Sequence, residues 1–166
     1  MILFEPIFEA LEKSGARYVV VGGVAVVLHG YARMTSDLDL VVDWDSPLAA
    51  RVVAVFVGLG MKPRAPVDPM GLADPKTRKS WREEKGMMVF SFVEPRNPLF
   101  AVDLFLEPPL PFEELWTRSR STDIGAMKVR FAGIDDLIAL KTRAGRPQDL
   151  ADIKALEVLR KNIRNG

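Results

Sequence analysis

Cysteine is absent from the 166-residue sequence, which excludes disulfides, thiol nucleophiles and cysteine-bound zinc and makes a cytoplasmic setting the expectation. Long apolar runs are absent too. No segment approaches the roughly 20 residues that a membrane-spanning helix needs. The first residues place Glu5 and Glu9 among apolar side chains and lack the basic start and small-residue cleavage site of a signal peptide, so no membrane partner is expected. Charge of one sign is missing as well. With 23 Lys and Arg against 22 Asp and Glu, the formal net charge is +1, and bulk charge does not announce a nucleic-acid binder. Neither Gly-x-x-x-x-Gly-Lys-Ser/Thr nor Gly-x-Gly-x-x-Gly occurs, which removes P-loop and dinucleotide readings. What is there, 48% hydrophobic and 27% charged residues without repeats or low-complexity segments, is the composition of one soluble globular domain with a sizeable core.

Periodicity predicts a mixed α/β chain. Leu3, Phe4, Ile7, Phe8 and Leu11 recur at helical spacing up to Gly15. A strand over Tyr18 to Val21, a helix over Val24 to His29, a strand over Leu38 to Val42 and a helix over Pro47 to Gly58 follow. From Pro63 to Lys85, Pro, Gly and charge dominate, and the reading is a long loop. Strands Met87 to Val93 and Phe100 to Leu106 flank the turn signal EPRNP and form a hairpin. A helix over Phe112 to Arg118, a strand over Lys128 to Phe131 and helices over Ile134 to Ala144 and Asp149 to Asn162 complete the chain.

Two carboxylates carry the first chemical signal. Asp37 and Asp39 are two residues apart on a predicted strand, so both side chains share one face while Leu38, Leu40 and Val42 take the other. Side by side they repel, and a hard cation such as Mg²⁺, or Mn²⁺ in its place, relieves the repulsion. Just upstream, Gly22-Gly23 closes an apolar strand and opens a helix. Without side chains there, backbone N–H groups can approach an anion such as a triphosphate. A phosphate cradle beside a metal site points to phosphoryl or nucleotidyl chemistry. The plainer alternative is that Asp37 and Asp39 are the solvated face of an edge strand.

Gly-Gly, a helix, then Asp-x-Asp on the next strand resembles the signature of the DNA polymerase beta-like nucleotidyltransferase superfamily. The likeness continues in FAVDLFLE (Phe100 to Glu107), where Asp103 matches the family's third carboxylate, and in Thr35 and Ser36 ahead of the first Asp. Gly23 stands where Gly-Ser members carry serine. IDDLIALKTRAGRPQDLADI (Ile134 to Ile153) resembles the last two motifs of the AbiEii-type branch, known from abortive-infection and toxin–antitoxin systems, and matches them at Lys141 and Asp149, with Asp152 one helical turn on. The resemblance implies a minimal nucleotidyltransferase fold, a mixed central sheet flanked by helices, as a single domain with its core over about 16–132 and a C-terminal helical segment over about 133–166.

By the same resemblance, the activity is metal-dependent transfer of a nucleoside monophosphate from an NTP to a hydroxyl acceptor. Asp37, Asp39 and Asp103 would hold Mg²⁺ or Mn²⁺, with Asp103 also accepting the hydroxyl proton. Gly22, Gly23, Arg33, Thr35, Ser36, Lys141 and Asp149 would bind the nucleotide, and Lys141 or Arg33 suits the charge at the β- and γ-phosphates. The AbiEii-type branch implies an RNA end, such as the tRNA acceptor stem, as acceptor, and action as a toxin. Alternatives are an antitoxin that modifies its cognate toxin protein, or a non-catalytic scaffold that keeps the fold.

Other residues carry plainer readings. His29, the sole histidine, reads as a helix-end capping or packing residue. Lys141 competes with a solvated helix lysine of little weight in stability, and Asp149 with an N-cap. Lys76, Arg78, Lys79, Arg82 and Lys85 surround Trp81, giving either a solvated loop or a phosphate-backbone contact with the indole stacked on a base. From Lys141 onward basic side chains outnumber acidic ones, which suits an RNA groove or an acidic partner.

Overall fold

β-Branched and aromatic residues at alternating positions build the centre of the molecule. In the computed structural model, which describes residues 4–165, they pair into one mixed seven-stranded sheet. Strands β1 (Tyr18–Val21), β2 (Asp37–Val42), β3 (Lys62–Pro63), β4 (Val89–Glu94), β5 (Asn97–Phe105), β6 (Arg120–Ile124) and β7 (Met127–Phe131) lie in the order β3-β4-β5-β2-β1-β7-β6. Helices α1 (Glu5–Ser14), α2 (Gly22–Leu28), α3 (Ala49–Gly58), α4 (Pro75–Lys85), α5 (Phe112–Arg118), α6 (Ile134–Ala144) and α7 (Pro147–Asn165) flank it. This is the mixed α/β architecture expected from the sequence, and no helix among the described residues is long and apolar enough to cross a membrane. Leu3, assigned to the first helix by its spacing, lies outside the described residues. Ile7, Phe8 and Leu11 are buried as the spacing predicts, and Gly15, with φ 70°, ends that helix.

Apolar side chains are buried on both faces of the sheet, and one face packs against α3. Leu38, Leu40 and Val42 of β2, Val102 and Leu104 of β5 and Phe90 and Phe92 of β4 are buried there, and α3 adds Val52, Val53 and Phe56, whose ring stacks on Phe92 at 5.1 Å. Strand alternation then sends Asp37, Asp39 and Asp103 to the opposite face. Because β2 is an inner strand, antiparallel to β1 and parallel to β5, the edge-strand reading of Asp37 and Asp39 is corrected.

The segment read as a long loop is largely ordered. It holds β3, a 3₁₀ turn (Pro69–Ala73) and α4. Asp74 caps α4, its carboxylate accepting from the Thr77 N–H at 3.0 Å, Pro75 occupies the first turn, and Gly86, with φ 62°, ends the helix. Such a cap is worth about 1 kcal/mol. Apolar periodicity was silent because α4 buries only Trp81 and Arg78. Trp81 stacks on Phe90 at 5.5 Å, and Arg78 lies over the Trp44 ring at 4.9 Å while donating to the Leu72 carbonyl at 2.6 Å. The indole therefore belongs to the core and is closed to a nucleobase. β6 carries no apolar alternation in the sequence, since all of its residues but Ile124 are polar and most are exposed. His29 packs: Nε2 meets the Ala132 carbonyl at 2.8 Å and the ring stands edge-on to Phe131, so α2 is tied to the end of β7.

Candidate active site

Register decides what the carboxylates can do together. Asp39 is paired with Asp103 and Asp37 with Ala101 across β2 and β5, and β4 sets Ser91 opposite Asp103. Residues in register on neighbouring strands share a face. Asp37, Asp39 and Asp103 accordingly line one cleft of about 740 Å³. The Ser91 hydroxyl donates to Asp103 Oδ1 at 2.5 Å, and the Ser36 hydroxyl to Asp37 Oδ1 at 3.3 Å. Burial, reinforced by the charges of Asp103 and Asp37, pushes the Asp39 carboxyl up to about 7. Burial also raises Asp103, against the hydrogen bond from Ser91. Crowded carboxylates with an all-oxygen donor set fit a hard divalent cation. Among the described residues no three such groups already surround a single ion position, so the acids face one cleft without forming a closed cage.

The two glycines are demanded by space. Gly22 has φ 65°, and a Cβ there would stand 2.0 Å from Asp39 Oδ2. A Cβ at Gly23 would stand 2.7 Å from Arg33 Nη1 and 2.8 Å from Thr35 Oγ1. The pair lets the β1–α2 junction press against Asp39 on one side and the 33–35 segment on the other, and α2 starts at the glycines themselves rather than at Val24. Gly22, Gly23, Arg33, Thr35 and Ser36 all line the cleft that holds the carboxylates.

Lys141 is not the solvated lysine that helix periodicity allows. It is 6% exposed, with Nζ 2.6 Å from Asp152 Oδ2 and 3.3 Å from Asp149 Oδ1. The cause is tertiary: the turn at Gly145 sets the first turn of α7 against the last turn of α6, and Asp149 and Asp152, three apart, present one acidic face to Lys141. Arg33 donates from Nε and Nη2 to Asp152 at 3.0 and 3.2 Å, and Arg146 donates from Nε to Asp149 at 2.7 Å. Against the opposing effect of burial, hydrogen bonds from Arg146 hold the Asp149 carboxyl below its ordinary value, as those from Lys141, Gln148 and Arg33 do for Asp152. Two buried acids thus carry three cations, and Arg33, Lys141 and Arg146 all reach the cleft wall. Asp149, assigned to the nucleotide from its motif, is 1% exposed and sits behind these cations rather than in the wall. Arg146 and Gln148 line the cleft without having been singled out in sequence; the available signal was Arg146 one helical turn ahead of Asp149.

No protein-family model matches the sequence, and no curated protein matches it. Solved structures match in shape. The lincosamide antibiotic adenylyltransferase LnuA, in its lincomycin-bound form, superposes with a TM-score of 0.64 at 17% identity, covering 95% of this chain and 95% of that one. ANT(2″)-Ia in complex with adenylyl-2″-tobramycin gives 0.59 at 15% identity, covering 99% and 96%. A nucleotidyltransferase-like antigenic protein from Paracoccidioides brasiliensis gives 0.58 at 16% identity, covering 93% and 73%. At these identities the likeness is one of fold, and the fold is that of nucleotidyltransferases.

Proposed function

We propose that the chain transfers a nucleoside monophosphate from an NTP to a hydroxyl acceptor, with Mg²⁺ or Mn²⁺ held by Asp37, Asp39 and Asp103. The observation that carries this reading is the convergence of three carboxylates from inner strands, a glycine turn that must lack side chains and three cations on the wall of one cleft. The triphosphate lies along Gly22 and Gly23, where Arg33, Lys141 and Arg146 offset its charge and Thr35 and Ser36 offer hydroxyls. Held by Asp37, Asp39 and Asp103, such ions would supply acidity to the attacking hydroxyl and offset charge on the departing pyrophosphate. Asp103, oriented by Ser91, takes the hydroxyl proton. Asp149 and Asp152 act from behind, fixing where the cations stand.

For the acceptor, the AbiEii-type likeness of segment 134–153 supports an RNA end, such as the tRNA acceptor stem, in a toxin–antitoxin setting in the cytoplasm. A small hydroxyl compound is the second reading, supported by the antibiotic adenylyltransferases that share the fold. Calorimetry with each NTP tests the shared premise. Binding is expected only with Mg²⁺ or Mn²⁺ present and is expected to vanish in the Asp37→Ala/Asp39→Ala double variant. Equal NTP affinity with and without metal would count against the proposal.

A further inference from the structure

The face that carries the three acids continues past β5. Ser91 of β4 is opposite Asp103, and the N–H of Arg64 donates to the Ser91 carbonyl at 2.9 Å, which places Arg64 next in line at the sheet edge. Lys62, paired with Val93, turns to the same side. One row therefore crosses the sheet on a single face: Asp39, Asp103, Ser91, Arg64. On β4 the core side is sealed by Phe90 and Phe92, whereas Val89, Ser91 and Val93 are only half-buried. A second cavity of about 230 Å³ opens there, lined by Arg64, Ala65, Met87, Val89, Phe90 and Ser91. Ser91 in its wall is hydrogen-bonded to Asp103 in the wall of the main cleft.

Charge is divided along this row. Lys141 and Arg146 act on Asp39, and Arg64 acts on Asp103. In displacement at phosphorus the nucleophile enters opposite the leaving group. A pyrophosphate leaving toward Lys141 and Arg146 thus requires a hydroxyl arriving from the side of Asp103 and Ser91, where the second cavity lies. Strands stand about 4.8 Å apart, so two strand spacings set the Arg64 backbone about 10 Å from that of Asp103, room for a small anionic group between side chain and reacting hydroxyl.

We propose that this second cavity seats the acceptor, and that the acceptor is a hydroxyl compound bearing a phosphate. Arg64, with Lys62 beside it, binds the phosphate, and Met87 and Val89 take the apolar flank. The assignment rests on the nucleotidyl-transfer reading. In the step, the acceptor oxygen bonds to the α-phosphorus and the bond from that phosphorus to the bridging oxygen breaks. Its electron pair leaves on pyrophosphate, and the hydroxyl proton passes to Asp103. A polycationic acceptor would set its ammonium groups against Lys62 and Arg64.

The test supplies Mg²⁺ and ATP labelled at the α-phosphate, with adenosine, 5′-AMP, glucose, glucose 6-phosphate or tobramycin as acceptor. The phosphorylated member of each pair should exceed its partner in kcat/KM by about ten- to hundredfold, the range of one charge-assisted hydrogen bond. Arg64→Ala should bring that ratio toward one and Arg64→Glu should invert it; Arg64 is exposed, so both variants keep the fold. Preference for 5′-AMP over glucose 6-phosphate would support the subsite with a nucleotide end as the source, and the reverse would support it with a sugar phosphate. Amide NMR shifts of Met87 to Ser91 on adding either phosphorylated probe report binding separately. Shifts that vanish in Arg64→Glu, with no acceptor labelled, would keep the subsite and defeat nucleotidyl transfer. Absence of shifts with both probes, a ratio near one in the unaltered protein, or tobramycin as the best acceptor would overturn the proposal.

Discussion

Asp39→Asn is expected to stabilise the metal-free protein above neutral pH while lowering nucleotidyl transfer by about a hundredfold or more. The Asp39 carboxyl is raised from 3.8 to about 7 by burial and by Asp103 and Asp37. The folded protein therefore binds a proton that the unfolded chain has already released, and stability falls as pH rises from about 4 to 7. At about 1.4 kcal/mol per unit, the cost above pH 7 reaches up to about 4 kcal/mol. An amide removes the charge and with it this cost, so the variant should gain about 2–4 kcal/mol at pH 8 and little at pH 4. Mg²⁺ should raise the melting temperature of the unaltered protein at pH 8 far more than that of the variant. Urea titrations from pH 4 to 8, with and without Mg²⁺, measure this. A difference in metal-free stability between the unaltered protein and Asp39→Asn that stays constant from pH 4 to 8 would contradict the crowded-carboxylate account.

Lys141→Ala is expected to lower both activity and stability. Removing one partner from a buried ion pair typically costs about 3–5 kcal/mol. Here the lower end applies, because Arg33 still meets Asp152 and Arg146 still meets Asp149. A loss of about 3 kcal/mol corresponds to a melting temperature roughly 6–12 °C lower in a domain of this size. Transfer should fall by tens to thousands of fold if the ammonium also offsets triphosphate charge. Lys141→Met keeps the buried stem and separates packing from charge: it should be nearly as destabilised as Lys141→Ala. An unchanged melting temperature in both variants would show that the lysine does not hold the two acids together.

The contrast between these two positions shows where sequence reasoning reaches. That Asp37 and Asp39 share a face follows from the period of a strand, a local property. That Asp103 joins that face depends on the β2–β5 register, which the sequence states only through the buried partners Leu38, Leu40, Val102 and Leu104. Gly22 and Gly23 were legible as a turn, but the side chains that exclude a Cβ there come from residues 33 to 39. The burial of Lys141 was not legible, because its partners lie on the next helix and nothing in the periodicity of α6 records how α7 docks. Ser91 and Arg64 were hidden for the same reason: each matters through the strand beside it. α4 is a different case: its cap at Asp74, Pro75 and terminating Gly86 are visible in the sequence, but no apolar stripe accompanies them.

The central claim is that this cleft moves a nucleoside monophosphate rather than a phosphoryl group. Parallel incubations of the protein with Mg²⁺, total cellular RNA and small-molecule extract, using NTP labelled at the α-phosphate in one and at the γ-phosphate in the other, test it most directly. The account predicts an acceptor labelled from the α-position only, with pyrophosphate released and with no product from Asp39→Asn. Label arriving from the γ-position, or α-label transferred at an equal rate by Asp39→Asn, would contradict it.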